Sequence, residues 1–181
     1  MLVFAGRFSA EKNIPVLLEA FRKLGDPYHL LLLGGDEANR SGNVTRMPYC
    51  RDNATLASYF ASADAFVHAG VHETFGLVIL EALACGRPVV APSAGAIPEL
   101  IDHNVGQLVD AHFAVERAAT ELAAGIVALY ERDLDALGAA ARRHVQTNYS
   151  WTRALQGLMA RYQAAVSVRQ LPAPDESFTP A

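Results

Sequence analysis

Short apolar runs alternate with amphipathic segments between residues 2 and 101 of this chain. The runs have the length of buried strands, and the segments between them carry the apolar spacing of helices. The pairs are residues 2–5 with 14–24, 29–33 with 54–61, 65–68 with 76–85, and 88–91 with 97–101. This alternation predicts an α/β fold, a doubly wound and mostly parallel sheet with helices on both faces.

Each apolar run ends in a glycine-containing or polar loop. The loops predicted to gather at one edge are residues 6–7, 34–36, 47–49, 70–72 and 92–95. In doubly wound sheets, ligands bind beyond the carboxyl ends of the strands. We therefore expect these loops to form one rim around a binding site.

The pattern changes after residues 106–109, where only helices follow. They are predicted over residues 115–130, 134–147 and 151–166, the last opened by Ser150 as an N-cap. The stretch from Leu171 is rich in proline and has no apolar period, which predicts extended or disordered chain. The expected organisation is one domain over residues 1–167, with extra C-terminal helices, and a tail over residues 168–181.

Composition excludes several classes of protein. With 51% hydrophobic and 19% charged residues, the chain is neither disordered nor a coiled coil. Its formal charge of -4 argues against binding nucleic acid through bulk charge. Two cysteines, Cys50 and Cys85, are too few for a disulfide framework, which favours a cytoplasmic location. The first residues predict a strand and not a signal peptide, and no run has the length of a membrane span.

The loop after the first apolar run contains two cations. Gly6 and Arg7 follow the run, and Lys12 comes five positions after the arginine, just before the first helix. Arginine can bridge two phosphate oxygens, lysine acts as a point charge, and the helix start offers unpaired amides. This arrangement predicts a phosphate site. The alternative is that both cations are solvated and flank Glu11.

Two glutamates, Glu73 and Glu81, lie at the start and in the middle of a very apolar segment. The helix over residues 76–85 is apolar nearly all round, which predicts burial. Glu81 would then be a buried carboxylate that needs a cation or hydroxyl donors. At about 1.5 Å per helical residue, the two carboxylates would lie about 10–12 Å apart. That gap exceeds the roughly 5–9.5 Å of a hydrolase acid–base pair and suits the two sugar-like ends of a nucleotide sugar.

Between these glutamates lies the start of the helix. The amides of Phe75, Gly76 and Leu77 would stabilise a diphosphate through unpaired N–H groups and the helix dipole. Glycine at position 76 permits close approach of a ligand. The structural alternative is that Glu73 favours the helix dipole while Glu81 pairs with a neighbour such as Arg87.

Together these motifs resemble the nucleotide-sugar-binding half of the large retaining glycosyltransferase family with the GT-B fold, the group 1 or family 4 type. The resemblance covers residues 2–166 and implies a Rossmann-like domain. It is carried by Gly6-Arg7 with Lys12, by residues 72–91 with Glu73 and Glu81, by residues 95–99, and by residues 149–151. The chain departs from the family pattern at residues 34–36, which read Gly-Gly-Asp, and at Ala96, where a glycine is frequent.

The resemblance implies a role for each matching residue in a donor site. Arg7 and Lys12 would neutralise the donor diphosphate, Glu73 would hold the transferred hexose, and Glu81 would accept hydrogen bonds from the ribose. The implied donor-binding residues are Gly6, Arg7, Lys12, Tyr49, Glu73, Thr74, Phe75, Gly76, Leu77 and Glu81, with Glu73, Arg7 and Lys12 as the catalytic ones. The loop over residues 47–50 would lie against the base, and no metal or other cofactor would be needed.

Enzymes of this family have two similar domains, and the acceptor site lies in the amino-terminal one. The resemblance therefore implies that this chain is a donor domain without its partner domain. It would bind a GDP-, UDP- or ADP-linked hexose and, by itself, scarcely transfer the sugar. It would bind no nucleic acid, and peripheral contact with a membrane would come only through the absent half. The base, the sugar, the acceptor and the oligomeric state stay open.

Metal sites are weighed against simpler explanations. Asp133 and Asp135 fit the Asp-x-Asp string of metal-dependent transferases, but they lie at a helix start, where aspartate favours the dipole. His68 and His72 are four positions apart, yet Gly70 and the preceding strand spoil the helical spacing that two metal ligands would need.

Other functions share the expected fold class. A dinucleotide-binding dehydrogenase calls for Gly-x-Gly-x-x-Gly after the first strand, which residues 6–9 lack. Two further alternatives stay open: a non-catalytic module that binds nucleotide sugars, and half of a nucleotide-sugar epimerase.

Overall fold

The computed structural model of the chain describes residues 1–168. Seven strands form one sheet: β1 (Leu2–Ala5), β2 (Leu30–Gly35), β3 (Asn39–Ser41), β4 (Val44–Pro48), β5 (Ala65–Val67), β6 (Val89–Pro92) and β7 (Gly106–Val109). Their order is β3-β4-β2-β1-β5-β6-β7. All neighbours pair in parallel except β3, which is antiparallel to β4 at the sheet edge. The predicted doubly wound, mostly parallel α/β fold is confirmed.

The sheet grows outward in both directions from β1. On one side Leu2 lies opposite Leu30 of β2, and on the other side it lies opposite Ala65 of β5. The chain therefore leaves β1 toward one edge and later returns to its other side. Crevices that bind ligands in such sheets lie at this reversal, outside the carboxyl ends of the strands.

Helices fill the connections between strands and continue after the sheet. They are α1 (Ile14–Leu24), α2 (Asn53–Ser62), α3 (Leu77–Ala84), α4 (Ile97–Leu100), α5 (Val115–Tyr130), α6 (Leu134–Asn148) and α7 (Trp151–Val168). Helix α1 packs beside α5, and fully buried side chains such as Leu17, Phe21 and Ile126 belong to one apolar cluster. Phe60 of α2 lies edge-on to Phe66 of β5, with ring centroids 5.7 Å apart.

Local sequence signals explain where several helices begin and end. Helix α1 has Pro15 in its first turn, where a missing N–H costs nothing. It ends at Gly25, whose φ of 57° is readily adopted by glycine. The carboxylate of Asp52 accepts a hydrogen bond from the Thr55 amide at 2.8 Å and so caps α2.

The sequence analysis missed the β3–β4 hairpin. Residues Asn39–Ser41 are all exposed, and within β4 only Val44 is buried. Neither strand therefore carries the apolar run or the alternation that identifies strands in a sequence.

The described residues divide into two compact units, Met1–Thr147 and a second from Asn148 onward. The first unit contains the sheet. The second contains α7, and the Ser150 hydroxyl accepts a hydrogen bond from the Arg153 amide at 3.4 Å, as expected of its N-cap. The tail predicted over residues 168–181 lies outside the described residues from position 169 onward. Within residues 1–168, no helix has the length and apolar character that would let it cross a bilayer.

Candidate functional site

A cleft of about 370 Å³ opens beyond the ends of β1 and β2, beside the start of α3. Every residue predicted for the donor site lines it: Gly6, Arg7, Lys12, Tyr49, Glu73, Thr74, Phe75, Gly76, Leu77 and Glu81. The structure therefore brings together side chains from three separate loops and one helix. Whether they bind a donor stays a prediction.

Further residues complete the cleft wall: Ala5, Leu33, Cys50, Leu56 and Val78. Sequence reasoning missed most of these because apolar side chains carry no chemical motif. A signal existed for Ala5 and Leu33, since each lies at or near the end of an apolar run that leads into a predicted binding loop. Cys50 belongs to the loop that was predicted to lie against the base.

Close backbone packing shapes the floor between β1 and β2. The Gly6 amide donates to the carbonyl of Leu33 at 3.0 Å. A Cβ on Gly34 would lie 1.8 Å from the carbonyl oxygen of Gly6. Only glycine fits at position 34, so the departure from the family pattern at residues 34–36 retains glycine where the backbone requires it.

The loop that leads into α1 carries both cations. Arg7 is exposed, and among the described residues no carboxylate forms an ion pair with it. Lys12 ends a short 3-10 turn, and the next residue, Asn13, has a left-handed φ of 52°. The Asn13 amide nitrogen Nδ2 donates to the carbonyl of Ala69 at 3.1 Å. This bond fixes the loop to the end of β5 and places Lys12 facing the start of α3.

Lys12 and Glu73 form an ion pair that the sequence analysis did not foresee. The distance from Lys12 Nζ to Glu73 Oε2 is 2.7 Å, and the two side chains are 21% and 13% exposed. Burial alone would raise the pKa of Glu73. The hydrogen bond and charge of Lys12 more than offset burial, with help from His68 and the Gly76 amide, so the pKa lies below its usual value. Glu73 is therefore ionised at neutral pH.

The tip of α3 is partly occupied by Glu73 itself. Its Oε1 accepts a hydrogen bond from the Gly76 amide at 3.2 Å, so the expectation of a free amide at Gly76 is wrong for this state of the protein. The first amides bonded along the helix are those of Ile79 and Leu80, which both donate to the carbonyl of Gly76. The amides of Leu77 and Val78 come before them and have no partner in the part of the chain described here. They are the donors available to an anion.

The carboxylate of Glu81 is not buried, so the prediction of a buried carboxylate is wrong. Helix α3 buries Ile79, Leu80, Ala82 and Leu83, while Leu77 and Glu81 are exposed. The helix is apolar nearly all round, but one face lines the cleft and stays accessible. Partial removal of water by the cleft walls raises the pKa of Glu81.

The proposed pairing of Glu81 with Arg87 is also wrong. Arg87 donates to the carbonyl oxygens of Ala63 at 2.7 Å and Cys85 at 3.3 Å. No ion pair to Glu81 is found within residues 1–168, so its carboxylate can accept hydrogen bonds from a ligand.

Two aromatic rings lie at the rim of the cleft. Tyr49 and Phe75 are each 53% exposed. The Tyr49 amide donates to the carbonyl of Gly35 at 2.9 Å, which holds the loop after β4 against β2. Exposed aromatic rings fixed by their backbone offer flat surfaces on which a nucleobase can stack.

The side-chain positions do not favour a metal site at Asp133 and Asp135, or at His68 and His72. Asp133 Oδ1 accepts a hydrogen bond from the Ala136 amide at 2.9 Å, as a helix cap does. The ring of His72 lies 6.5 Å from that of Phe113, while His68 is buried. Within the described residues, no group of three or more His, Cys, Asp or Glu side chains is placed to hold a metal ion.

The arrangement as a whole combines two kinds of chemistry in one cleft. Arg7, Lys12 and the free amides at the tip of α3 can stabilise a polyanion. Glu73 and Glu81 can accept hydrogen bonds from hydroxyl groups of a ligand. The fold and the cleft define a class of protein: a doubly wound α/β domain with a polar site at the carboxyl edge of its sheet.

Comparison with known proteins identifies the family within this class. The model of the family described as Glycosyl transferases group 1 matches residues 1–132, and the chain belongs to that family. The D-inositol 3-phosphate glycosyltransferase of Segniliparus rotundus is 36% identical and aligns with 92% of this chain and 40% of its own length. The GDP-mannose-dependent alpha-mannosyltransferase of Mycobacterium tuberculosis is 37% identical, with 89% and 42% aligned. The chain thus spans about 40% of the length of these relatives.

Solved structures agree on the fold. Sucrose-phosphate synthase from Thermosynechococcus elongatus superposes with a TM-score of 0.77 at 28% identity, over 92% of this chain and 45% of that one. The C-terminal domain of a group 1 glycosyl transferase from Francisella tularensis superposes with a TM-score of 0.69 at 22% identity, over 83% of this chain and 86% of that domain. The chain therefore has the fold of the C-terminal half of a GT-B glycosyltransferase.

Proposed function

We propose that this chain is the donor-binding domain of a retaining glycosyltransferase that transfers a hexose from a nucleoside diphosphate sugar. The observation that carries the proposal is the meeting of Arg7, Lys12, the tip of α3 and two glutamates in one cleft. Family membership supports the reaction class. A relative whose name specifies GDP-mannose as donor, at 37% identity, supports the substrate class.

The diphosphate binds at the cationic end of the cleft. Arg7 has no competing ion pair among the described residues, so its guanidinium is available to bridge phosphate oxygens. The amides of Leu77 and Val78 add two donors at the positive end of the helix dipole. Lys12 reaches the same anion once its ammonium group leaves Glu73, 2.7 Å away.

The two glutamates hold the two sugars of the donor. Glu73 uses one acceptor position for Lys12 and one for the Gly76 amide, and an ionised carboxylate offers about four. The remaining positions accept hydroxyl groups of the hexose. Glu81, on the accessible face of α3, accepts hydrogen bonds from the ribose, and the base lies toward Tyr49.

Catalysis by this half consists of stabilising the leaving diphosphate. As the glycosidic bond to phosphate breaks, negative charge grows on the phosphate oxygens, and preorganised cations and amides lower the barrier. The departing phosphate accepts the proton of the acceptor hydroxyl, which attacks from the same face and so retains the anomeric configuration. Arg7 and Lys12 supply the positive charge that a metal ion provides in other transferases.

Transfer requires residues beyond this chain. Because the chain aligns with about 40% of the relatives' length, we propose that the acceptor is bound by a second domain, and that this chain binds donor but scarcely transfers.

Both cysteines are free thiols, which supports the expected cytoplasmic location.

Calorimetry tests the proposal directly. The chain is titrated with GDP, UDP and ADP and with their hexose conjugates, in the presence of EDTA, and Arg7→Ala serves as the binding-deficient control. We expect heat from at least one nucleotide and a weaker response in the variant. A folded chain that binds none of the nucleotides would overturn the proposal. Analysis of the recovered sugar separates transfer from epimerisation, and a donor-hydrolysis assay separates both from a purely binding module.

A further inference from the structure

His68, just after β5, is a fully buried histidine without a hydrogen-bond partner. Its side chain has 0% exposure, and neither Nδ1 nor Nε2 forms a hydrogen bond within the described residues. The rings of Phe4 and Phe66 lie nearly parallel to it, with centroids 6.3 and 6.5 Å away. Buried polar groups are nearly always bonded, so this ring calls for an explanation that packing does not give.

One edge of the ring points at the carboxylate of the proposed donor site. His68 Nε2 lies 3.8 Å from Glu73 Oε2, the same oxygen that accepts from Lys12. This distance is too long for a hydrogen bond, but a movement of about 1 Å would form one. The imidazole could therefore donate a hydrogen bond to the same carboxylate oxygen that accepts one from Lys12.

Gly70 keeps this edge of the ring open. A Cβ at position 70 would lie 2.8 Å from His68 Nε2 and 2.6 Å from the carbonyl oxygen of Glu11. A larger residue would therefore push the ring or the loop that carries Lys12. Glycine at this position leaves Nε2 facing Glu73.

The charges around His68 determine its protonation. Burial and the nearby Lys12 ammonium lower its pKa to about 4, with the Glu73 carboxylate acting in the opposite direction. The other neighbours named above are the apolar rings of Phe4 and Phe66. A neutral imidazole carries one N–H, so His68 can donate to Glu73 without adding a second positive charge.

We propose that His68 is a positioning residue which replaces Lys12 as the hydrogen-bond donor to Glu73 when a bound diphosphate draws Lys12 away. In that state Nε2–H of His68 donates to Oε2, while the Gly76 amide continues to donate to Oε1. Glu73 then keeps two donors and its orientation toward the hexose, although its cation has moved to the phosphate. The identity of the ligand, a diphosphate, rests on the proposed function, but the exchange of hydrogen-bond donors can be tested without any ligand.

The first experiment imitates the departure of Lys12 in the ligand-free chain. His68 is followed by imidazole ¹⁵N and ¹H NMR in the wild type, in Lys12→Met, and in Lys23→Met as a control that removes a lysine outside the cleft. We expect Lys12→Met, and not the control, to give an exchange-protected Nε2–H signal and a higher His68 pKa. Lys12→Gln provides the same test if Lys12→Met does not fold.

A second substitution separates hydrogen bonding from simple loss of charge. Adding Glu73→Gln to Lys12→Met removes the charged acceptor. We expect the Nε2–H signal to lose its protection and the His68 pKa to fall below its value in Lys12→Met. A His68 spectrum that is the same in the wild type and in Lys12→Met would overturn the proposal, and so would an Nε2–H protection that survives Glu73→Gln.

The second experiment uses UDP-glucose and GDP-mannose as probes. We compare His68→Phe, which fills the space between the neighbouring rings without a donor, with His68→Gln, which keeps an N–H donor. Where the wild type binds, we expect His68→Phe to weaken sugar-nucleotide binding by about tenfold, a change of about 1.4 kcal/mol, and His68→Gln to recover part of it. Equal affinity of the wild type and His68→Phe would overturn the inference.

The two experiments distinguish a failure of the proposed function from a failure of the inference about His68. If the wild type binds no nucleotide, the proposed function is overturned, and the Lys12→Met spectra alone decide the role of His68. If nucleotides bind without an Nε2–H signal appearing, the proposed function stands and the inference about His68 is overturned.

Discussion

Gly95 supports the backbone of Glu73 by direct contact. A Cβ at position 95 would lie 2.4 Å from the carbonyl oxygen of Glu73. That oxygen also accepts a hydrogen bond from the amide of Ala96 at 2.9 Å. The loop after β6 therefore holds the backbone of the residue that carries the carboxylate, while Lys12 contacts its side chain. Only glycine permits this approach, because any Cβ would clash with that oxygen, and the φ of +56° at Gly95 is one that glycine adopts readily.

Gly95→Ala should disturb the site as well as the fold. Gly42→Ala is the matched control, because Gly42 has the same φ of +56° and nothing within 4 Å of its Cβ position. We expect the control to lose about 1 kcal/mol of stability from backbone strain alone and to keep its nucleotide affinity. Gly95→Ala should lose more stability and bind sugar nucleotides more weakly. Urea unfolding and calorimetry measure the two effects, and equal behaviour of both variants would contradict the contact.

Arg7→Ala should weaken binding of a diphosphate. A hydrogen bond to a charged group contributes roughly 1.5–3 kcal/mol, so the dissociation constant should rise by about one to two orders of magnitude. Arg22→Ala is the control, because Arg22 pairs with Glu19 on the outer surface of α1 and lies outside the cleft. The same affinity in both variants would remove Arg7 from the site.

The Lys12–Glu73 pair should stabilise the chain in a pH-dependent way. The pKa of Glu73 lies below the reference value of 4.5 in the folded chain, so above 4.5 the pair contributes fully. As pH falls from 4.5 through the folded pKa, the unfolded chain takes up the proton first and the contribution is lost. The stability difference between the wild type and Glu73→Gln should therefore shrink on acidification. Urea unfolding at several pH values measures it, and a difference that grows as pH falls would contradict the assigned pKa shift.

The buried His68 should add a second pH dependence to the stability of the chain, and it should be separable from that of Glu73. Its pKa falls from 6.5 to about 4 on folding, so between these values the unfolded chain binds a proton that the folded chain does not. Stability should therefore decline as pH falls from 6.5 toward 4. His68→Phe should lose this part of the decline, as measured by thermal unfolding at stepped pH. A decline of the same size in His68→Phe would contradict the neutral, buried state of the ring.

Much of the fold and of the candidate site could be predicted from the sequence. Buried parallel strands such as Leu2–Ala5 are continuous apolar runs, and the loops after them meet at one edge by the geometry of the sheet. For this reason Arg7, Tyr49 and Glu73, far apart in the sequence, could be assigned to one cleft. The polar edge strand Asn39–Ser41 lacks such a run, and it was missed.

The rest depends on side-chain directions that a sequence does not encode. The spacing of Glu81 in α3 indicates a helix but not which face meets solvent, so its burial was predicted wrongly. The ion pair of Lys12 with Glu73 joins residues 61 positions apart, and no periodicity relates them. The role of Gly95 follows from a backbone contact that appears only when two loops are folded against each other.

Glu81→Ala should test the proposed contact with ribose. Because Glu81 lies on the exposed face of α3 and lines the cleft, the substitution should leave the fold intact and weaken UDP or GDP more than pyrophosphate. The wild type should prefer the ribonucleotide over its 2′-deoxy form, and Glu81→Ala should lose most of that preference. The control Glu99→Ala, outside the cleft lining, should keep it.

Acidification through the raised pKa of Glu81 should weaken ribonucleotide binding, since the protonated group is a poorer acceptor. Calorimetry with the three ligands provides the measurement, and equal losses for pyrophosphate and ribonucleotide would place Glu81 away from the ribose.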